Sequence, residues 1–247
     1  MIISGEEKLM FHVMNAIYDS GIPVSFKGSM VMKAFLLESG FTDDTRHTVD
    51  IDANWNSETA PTEEQMVESF QNALSNACIN LEVQAYRKYG ENRSAGFELL
   101  DKTTGNPLFT MDVDVNRPYP DTRLYEIDDI HFFGNAPNQI LADKIYVIST
   151  EKVFRRIKDV VDLYYMSSVY TIDHQLVLDT LSRSGKKPGD FKCFLERTED
   201  LRHSYERFRF AGGIVKLSFD EVYATVKNYI NDFLPVRLIN YNGLTLL

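Results

Sequence analysis

Two segments of this chain alternate carboxylates with apolar residues, and that pattern restricts both to strands with one polar and one apolar face. In Thr48-Val49-Asp50-Ile51-Asp52-Ala53 the two aspartates are two residues apart. An extended backbone therefore points Asp50 and Asp52 to one side, with Val49 and Ile51 on the other. In Phe109-Thr110-Met111-Asp112-Val113-Asp114-Val115-Asn116 the core-facing set is Met111, Val113 and Val115, leaving Asp112, Asp114 and Asn116 on the polar face. Strands disfavour aspartate, and like charges on one face repel. A hard divalent ion with oxygen ligands between the carboxylates is the simplest remedy. For either segment alone, a strand edge facing water is the alternative. If the two strands are neighbours, three or four carboxylates converge, and such a cluster is hard to stabilise without metal.

The flanking pattern reads as mixed α/β up to about residue 134. Ser4 with Glu7 forms a capping box for a helix carrying Leu9, Met10, Val13, Met14 and Ile17, ended by Gly21. Ile22 to Phe26 reads as a strand that turns through Lys27-Gly28-Ser29 into a helix from Met30 to about Glu38. Thr62 with Gln65 caps a helix reaching about Ala77, and strands are expected over Ile79–Tyr89, Ser94–Asp101 and Pro107–Asn116. The last two are joined by the hairpin signal Thr103-Thr104-Gly105-Asn106. Beyond Asn135 the period becomes helical, with Asn138 capping a helix to about Ser149, a helix from Thr150-Glu151 to about Met166, and helices over Thr171–Arg183, Asp190–Arg209 and Ser218–Leu234. The expected fold class is α+β: a mixed sheet with helices over 1–134, followed by a helical region over 135–247 that packs tightly on it.

Net charge is −10, which disfavours broad coating of nucleic acid while permitting a local basic patch. The chain shows neither a basic-then-apolar leader nor an apolar run of membrane-spanning length, so a cytoplasmic location without membrane contact is expected. Cys78 and Cys193 are far apart and lack zinc-like neighbours, reading as buried or free thiols.

Other residues are candidates for chemistry. Gly28 allows close backbone approach at a strand-to-helix turn, where helix N–H groups meet phosphate, and Ser29 adds a hydroxyl; a plain turn with a serine cap is the alternative. Lys144 sits in an apolar helix stretch, where a charge needs a partner. Arg155, Arg156 and Lys158 crowd one segment, and Asp159 and Asp162 share a helix face. Of the five histidines, His47 beside the aspartate strand is the one worth mutating.

Together these segments resemble the nucleotidyltransferase superfamily with its polymerase-beta-like fold. Within it, Phe26-Lys27-Gly28-Ser29-Met30-Val31-Met32, Arg46-His47-Thr48-Val49-Asp50-Ile51-Asp52, Leu141-Ala142-Asp143-Lys144 and Arg155-Arg156-Ile157-Lys158-Asp159-Val160-Val161-Asp162-Leu163-Tyr164 resemble the AbiEii/AbiGii toxin family. The likeness runs from about Phe26 to Met166. It implies a two-metal transferase moving an NMP from an NTP to an acceptor hydroxyl, as the toxin of a type IV abortive-infection toxin–antitoxin pair. Asp50 and Asp52 would ligate Mg²⁺, with Asp112 or Asp114 as third carboxylate. Lys27, Gly28, Ser29, Thr48, Lys144 and Arg156 would contact the nucleotide, and Asp162 would be the acidic partner from the helical region. The implied partners are an RNA acceptor (the tRNA 3′ end) and a cognate antitoxin. A transferase acting on a small molecule or protein, and a nucleotide-binding module without catalysis, are the alternatives.

Overall fold

The structure is a computed structural model and describes residues 3–90, 93–210 and 216–235, so parts of both expected regions, including 236–247, lie outside the described residues. Helix α1 spans Gly5–Asp19, strand β1 Val24–Lys27, α2 Gly28–Glu38, β2 Asp50–Trp55 and α3 Glu63–Asn76. Strands β3 Leu81–Arg87, β4 Ser94–Asp101 and β5 Pro107–Asp114 follow, then β6 Thr122–Ile127 and β7 Ile130–Asn135. The remainder is helical: α4 Pro137–Ile148, α5 Ile157–Ser167, α6 His174–Arg183, α7 Lys192–Glu196, α8 Thr198–Arg207 and α9 Phe219–Tyr229.

The strands form one sheet in the order β3-β4-β5-β2-β1-β7-β6. Its centre is mixed: β2 runs antiparallel to β1 but parallel to β5, and β1 runs parallel to β7. The two aspartate strands are therefore neighbours. Alternation then divides the sheet into an apolar and a polar face. Ile51, Ala53, Met111, Val113, Phe97 and Leu99 are buried beneath α1 and α3. Aromatic pairs fix those helices on the sheet, with Phe70 of α3 edge-on to Phe97 at 5.4 Å and Phe11 of α1 stacked on Phe132 at 6.1 Å between centroids. Such contacts add about 0.5–1.5 kcal/mol each beyond area burial. Asp50, Asp52, Asp112 and Asp114 are left on the opposite face.

Local capping explains most boundaries. Ser4 and Thr62 make the expected reciprocal capping boxes with Glu7 and Gln65. Asn138 does not cap α4: Ala136 is the N-cap, Pro137 starts the helix, and the Asn138 amide donates instead to Asp121 and Thr180. Proline needs no N–H partner at a first helical position, so it outcompetes the asparagine as the start. The helix expected from Thr150 is two pieces, a 3₁₀ turn at Glu151–Phe154 and then α5, which leaves Arg155 and Arg156 at a junction. The single helix expected over Asp190–Arg209 breaks at Arg197 (φ −109°, ψ 48°), whose guanidinium covers the Phe154 ring at 4.4 Å and donates to Asp200. The β6–β7 hairpin was not signalled by sequence. Its turn at Asp128-Asp129 carries no glycine or proline, and Asp128 itself takes φ +54°. Cys78 is exposed and Cys193 half-buried, and both are free thiols.

Candidate active site

The polar face is built by ladder register. Lys27 at the end of β1 stands opposite Asp52, and Asp52 stands opposite Asp112 on β5. One step along, Asn54 stands opposite Asp114, while Asp50 faces Thr110. Asp52 thus has two carboxylate neighbours, Asp50 on its own strand face and Asp112 across the ladder. Burial pushes the Asp52 carboxyl up, and repulsion from Asp50 and then Asp112 adds to it, partly offset by Lys27 and Lys158. That carboxyl is poised to gain from a cation.

The neighbouring carboxylates already have partners. Lys27 Nζ donates to Asp114 Oδ2 at 2.6 Å and to Asn54 Oδ1 at 3.1 Å. Arg87 Nη2 and the Tyr86 hydroxyl donate to Asp112 Oδ1 at 2.9 and 3.2 Å. Tyr86 reaches Asp112 by lying across Gly96, where any Cβ would meet the ring at 2.6 Å. Thr48 Oγ1 donates to Asp50 Oδ1 at 2.9 Å, and the Thr48 N–H donates to Glu7 Oε1 at 3.1 Å. Glu7 is completely buried, pairs with Lys33, and has His47 Nδ1 at 3.5 Å from its other oxygen. Among the described residues no three His, Cys, Asp or Glu side chains stand ready-made as a metal-ligand set. The donor chemistry nevertheless fits a hard divalent ion, because Asp50 and Asp52 share a face and the burial and repulsion at Asp52 are the strain such an ion would relieve.

Gly28 shapes the floor. Its φ is +71°, a conformation L side chains rarely adopt, and a Cβ there would lie 2.2 Å from Asp52 Oδ2. Helix α2 begins at Gly28 without a side-chain cap, so its first N–H groups are open to an anion. The Ser29 hydroxyl is turned away, accepting from Arg46 Nη2.

From Ser29 an alternating chain of charges runs into the helical half. Arg46 donates to both oxygens of Asp162 at 2.7 and 2.8 Å; Lys144 Nζ donates to Asp162 at 2.6 Å and to Asp159 at 3.0 Å; Arg156 Nε donates to Asp159 at 2.8 Å. Asp162 is 0% and Asp159 1% exposed, against 6% for Lys144 and 7% for Arg46, while Arg156 reaches solvent. Burial by itself would raise the Asp162 carboxyl, but Arg46 and Lys144 hold it well below the usual carboxylate range. Burial likewise opposes the charge on Lys144, and Asp162 and Asp159 overcome it.

Lys27, Gly28, Asp52, Asp112, Lys144 and Arg156 all line one cleft of about 600 Å³ between the polar face and the helices. Asp50, Thr48, Ser29 and Asp162 are not among its lining residues. Sequence reading overlooked Arg87, Arg117, Lys152, Lys186 and Asn135, the last four of which line the cleft. Arg117 and Lys186 lie in loops without periodicity, and Lys152 in the 3₁₀ turn, so no pattern pointed to them. Asn135 is 2% exposed, and its Oδ1 has no hydrogen-bond partner among the described residues. A buried acceptor left so costs about 1–3 kcal/mol.

The sheet order and the helical half define an α+β mixed-sheet fold. Among solved structures, the chain is similar to MenT4, a nucleotidyltransferase toxin from Mycobacterium tuberculosis, with a TM-score of 0.57 and 16% identity over 91% of this chain and 81% of that one. At this identity the likeness is one of fold. No family model and no curated protein sequence matches the chain. Among the described residues, no helix is long and apolar enough to cross a membrane.

Proposed function

We propose that this chain is a Mg²⁺-dependent nucleotidyltransferase that moves an NMP from an NTP to an acceptor hydroxyl. The observation that carries the reading is the register placing Asp52 between Lys27 and Asp112, against the Gly28 turn. Residues 1–134 would form the transferase core and 135–247 the helical domain that completes the site. Asp50 and Asp52 would hold the metal, two ions being expected, with Asp112 as third carboxylate because it adjoins Asp52 while Asp114 holds Lys27. When bound, the metal supplies Lewis acidity at the α-phosphate and charge neutralisation at the leaving pyrophosphate.

The chain's own groups do the rest. The open N–H groups of α2 and the Gly28 backbone bind phosphate oxygens. Lys144 and Arg156 line the same cleft and meet the phosphates from the helical side, with Asp162 and Asp159 holding their positions. Thr48 orients Asp50.

The resemblance to the AbiEii/AbiGii family supports RNA, the tRNA 3′ end, as acceptor, and the toxin role of a type IV abortive-infection pair with a cognate antitoxin. The fold shared with a nucleotidyltransferase toxin is consistent with this. Purified protein with Mg²⁺, each labelled NTP and bulk tRNA tests it. Label should pass to tRNA with wild type and not with Asp52→Ala. Label in a small molecule or protein would replace the acceptor, and nucleotide binding without transfer would leave a binding module. Growth arrest on expression, relieved by Asp50→Ala, tests the toxin role separately.

A further inference from the structure

The carboxylate cleft continues into a recess of about 220 Å³, and the two share Lys27, Asp114, Arg117, Asn135, Asp143 and Lys186. The recess is too small for a folded partner and suited to one flat ring system with its sugar. Its walls differ from those of the cleft. Three amide-bearing residues from three elements, Asn54 on β2, Asn135 on β7 and Gln139 on α4, line it with Ser184, Pro118 and Pro120.

Two of the three amides are committed. Asn54 Oδ1 accepts from Lys27 at 3.1 Å; Gln139 Oε1 accepts from the Asp121 N–H at 3.2 Å, and its Nε2 donates to Asp143 at 3.3 Å. Asn135 differs. Its backbone is fixed by pairing with Thr122 and by accepting the Tyr125 hydroxyl at 2.7 Å, yet its buried side-chain oxygen has no partner among the described residues. An acceptor on a fixed backbone that the described residues leave unpaired, on a residue lining a recess continuous with the Gly28 cleft, calls for a donor from outside the chain.

We propose that the recess takes the nucleobase of the NTP and that Asn135 selects it, its side-chain amide turning toward the recess as the base enters so that Oδ1, buried until then, accepts a hydrogen bond from a ring N–H or exocyclic amino group. This rests on the nucleotidyltransferase reading of the cleft. A nucleotide whose phosphates lie against Gly28 and the α2 N-terminus places its other end toward the shared residues at the recess mouth. The prolines supply apolar contact to the base faces, and the amide reads the edge. Side-chain amides discriminate bases this way because the donor and acceptor pattern differs from base to base. A site built to hydrogen-bond one substrate rejects analogues that leave its buried polar group unpaired.

The experiment is calorimetric titration of the full chain in Mg²⁺ with ATP, GTP, CTP, UTP and inorganic triphosphate. Wild type should prefer one NTP by about tenfold or more. Asn135→Leu should bring the four within about threefold of one another, leaving inorganic triphosphate affinity within about twofold. Because Asn135 is buried, a ligand-side deletion is run in parallel on wild type: the preferred nucleotide with its edge donor methylated should lose the same factor. Equal binding of all four nucleotides by wild type, a preference unchanged in Asn135→Leu, or an undiminished methylated analogue would each overturn the inference and leave the transferase reading standing. Failure of wild type to bind any nucleotide would remove both.

Discussion

Asp112 is the ladder partner of Asp52 across the parallel β2–β5 pair, whereas Asp114 is the partner of Asn54 and binds the Lys27 ammonium. The two aspartates of β5 therefore have different partners despite their identical spacing from apolar neighbours. Asp112→Asn should lower transfer by about a hundredfold or more, expressed in kcat, since it removes charge beside Asp52. Asp114→Asn should cost about ten- to a hundredfold, because it releases Lys27 and the nearby Arg117 rather than removing charge beside Asp52. Steady-state kinetics with the preferred NTP checks the order, and a larger loss for Asp114→Asn would reverse the assignment.

Asp52 carries the strain of the site, through burial and then repulsion from Asp50 and Asp112. Asp52→Asn should therefore raise the stability of the metal-free protein by about 1 kcal/mol while abolishing transfer, an activity-for-stability exchange at one atom. Thermal melts with and without Mg²⁺ check it. The ion should raise the Tm of wild type and leave Asp52→Asn unmoved.

Gly28→Ala should be damaging twice over. A positive φ costs a non-glycine residue about 1–2 kcal/mol, and the new methyl would meet Asp52 Oδ2 at 2.2 Å. Loss of activity with a drop in Tm is expected. Full activity would show that the carboxylate can move aside.

The buried charge chain predicts an acid transition. The folded-state pKa of Asp162 is depressed, so its stabilisation is fully present above the unfolded value of about 3.9 and lost as pH falls through the lower folded value. Asp162→Asn should flatten that acid-side slope in urea melts. Near neutral pH it should cost about 3–5 kcal/mol, because Arg46 and Lys144 stay buried without their shared carboxylate. Parallel pH curves for variant and wild type would place the acid sensitivity elsewhere.

The polar faces of β2 and β5 were legible in the sequence because a two-residue period survives in any strand. Their adjacency was not, since a parallel pairing between segments about sixty residues apart leaves no local mark. Capping boxes at Ser4 and Thr62 were readable, being contained within four residues. Asn138 misled: its amide is used in tertiary contacts with Asp121 and Thr180, which a local rule cannot anticipate. The β6–β7 hairpin was silent because its tight turn is made by Asp128 rather than glycine. Lys144 drew notice as a charge in an apolar helix; Asp159 and Asp162 were visible as neighbours of each other, and Asp162 also as the acidic partner the family resemblance implies, but the pairing of Lys144 with both was not. Arg46 closes that chain across 116 residues, a distance no spacing rule spans.

That distance has a consequence for biosynthesis. The strand bearing Asp50 and Asp52 leaves the ribosome long before α5, yet the serine beside the phosphate turn is fastened through Arg46 to a carboxylate on α5. A nascent chain stalled between these points holds the acidic strand but lacks the fastening. The order of synthesis itself therefore delays completion of this charge network until the polypeptide is about two-thirds made.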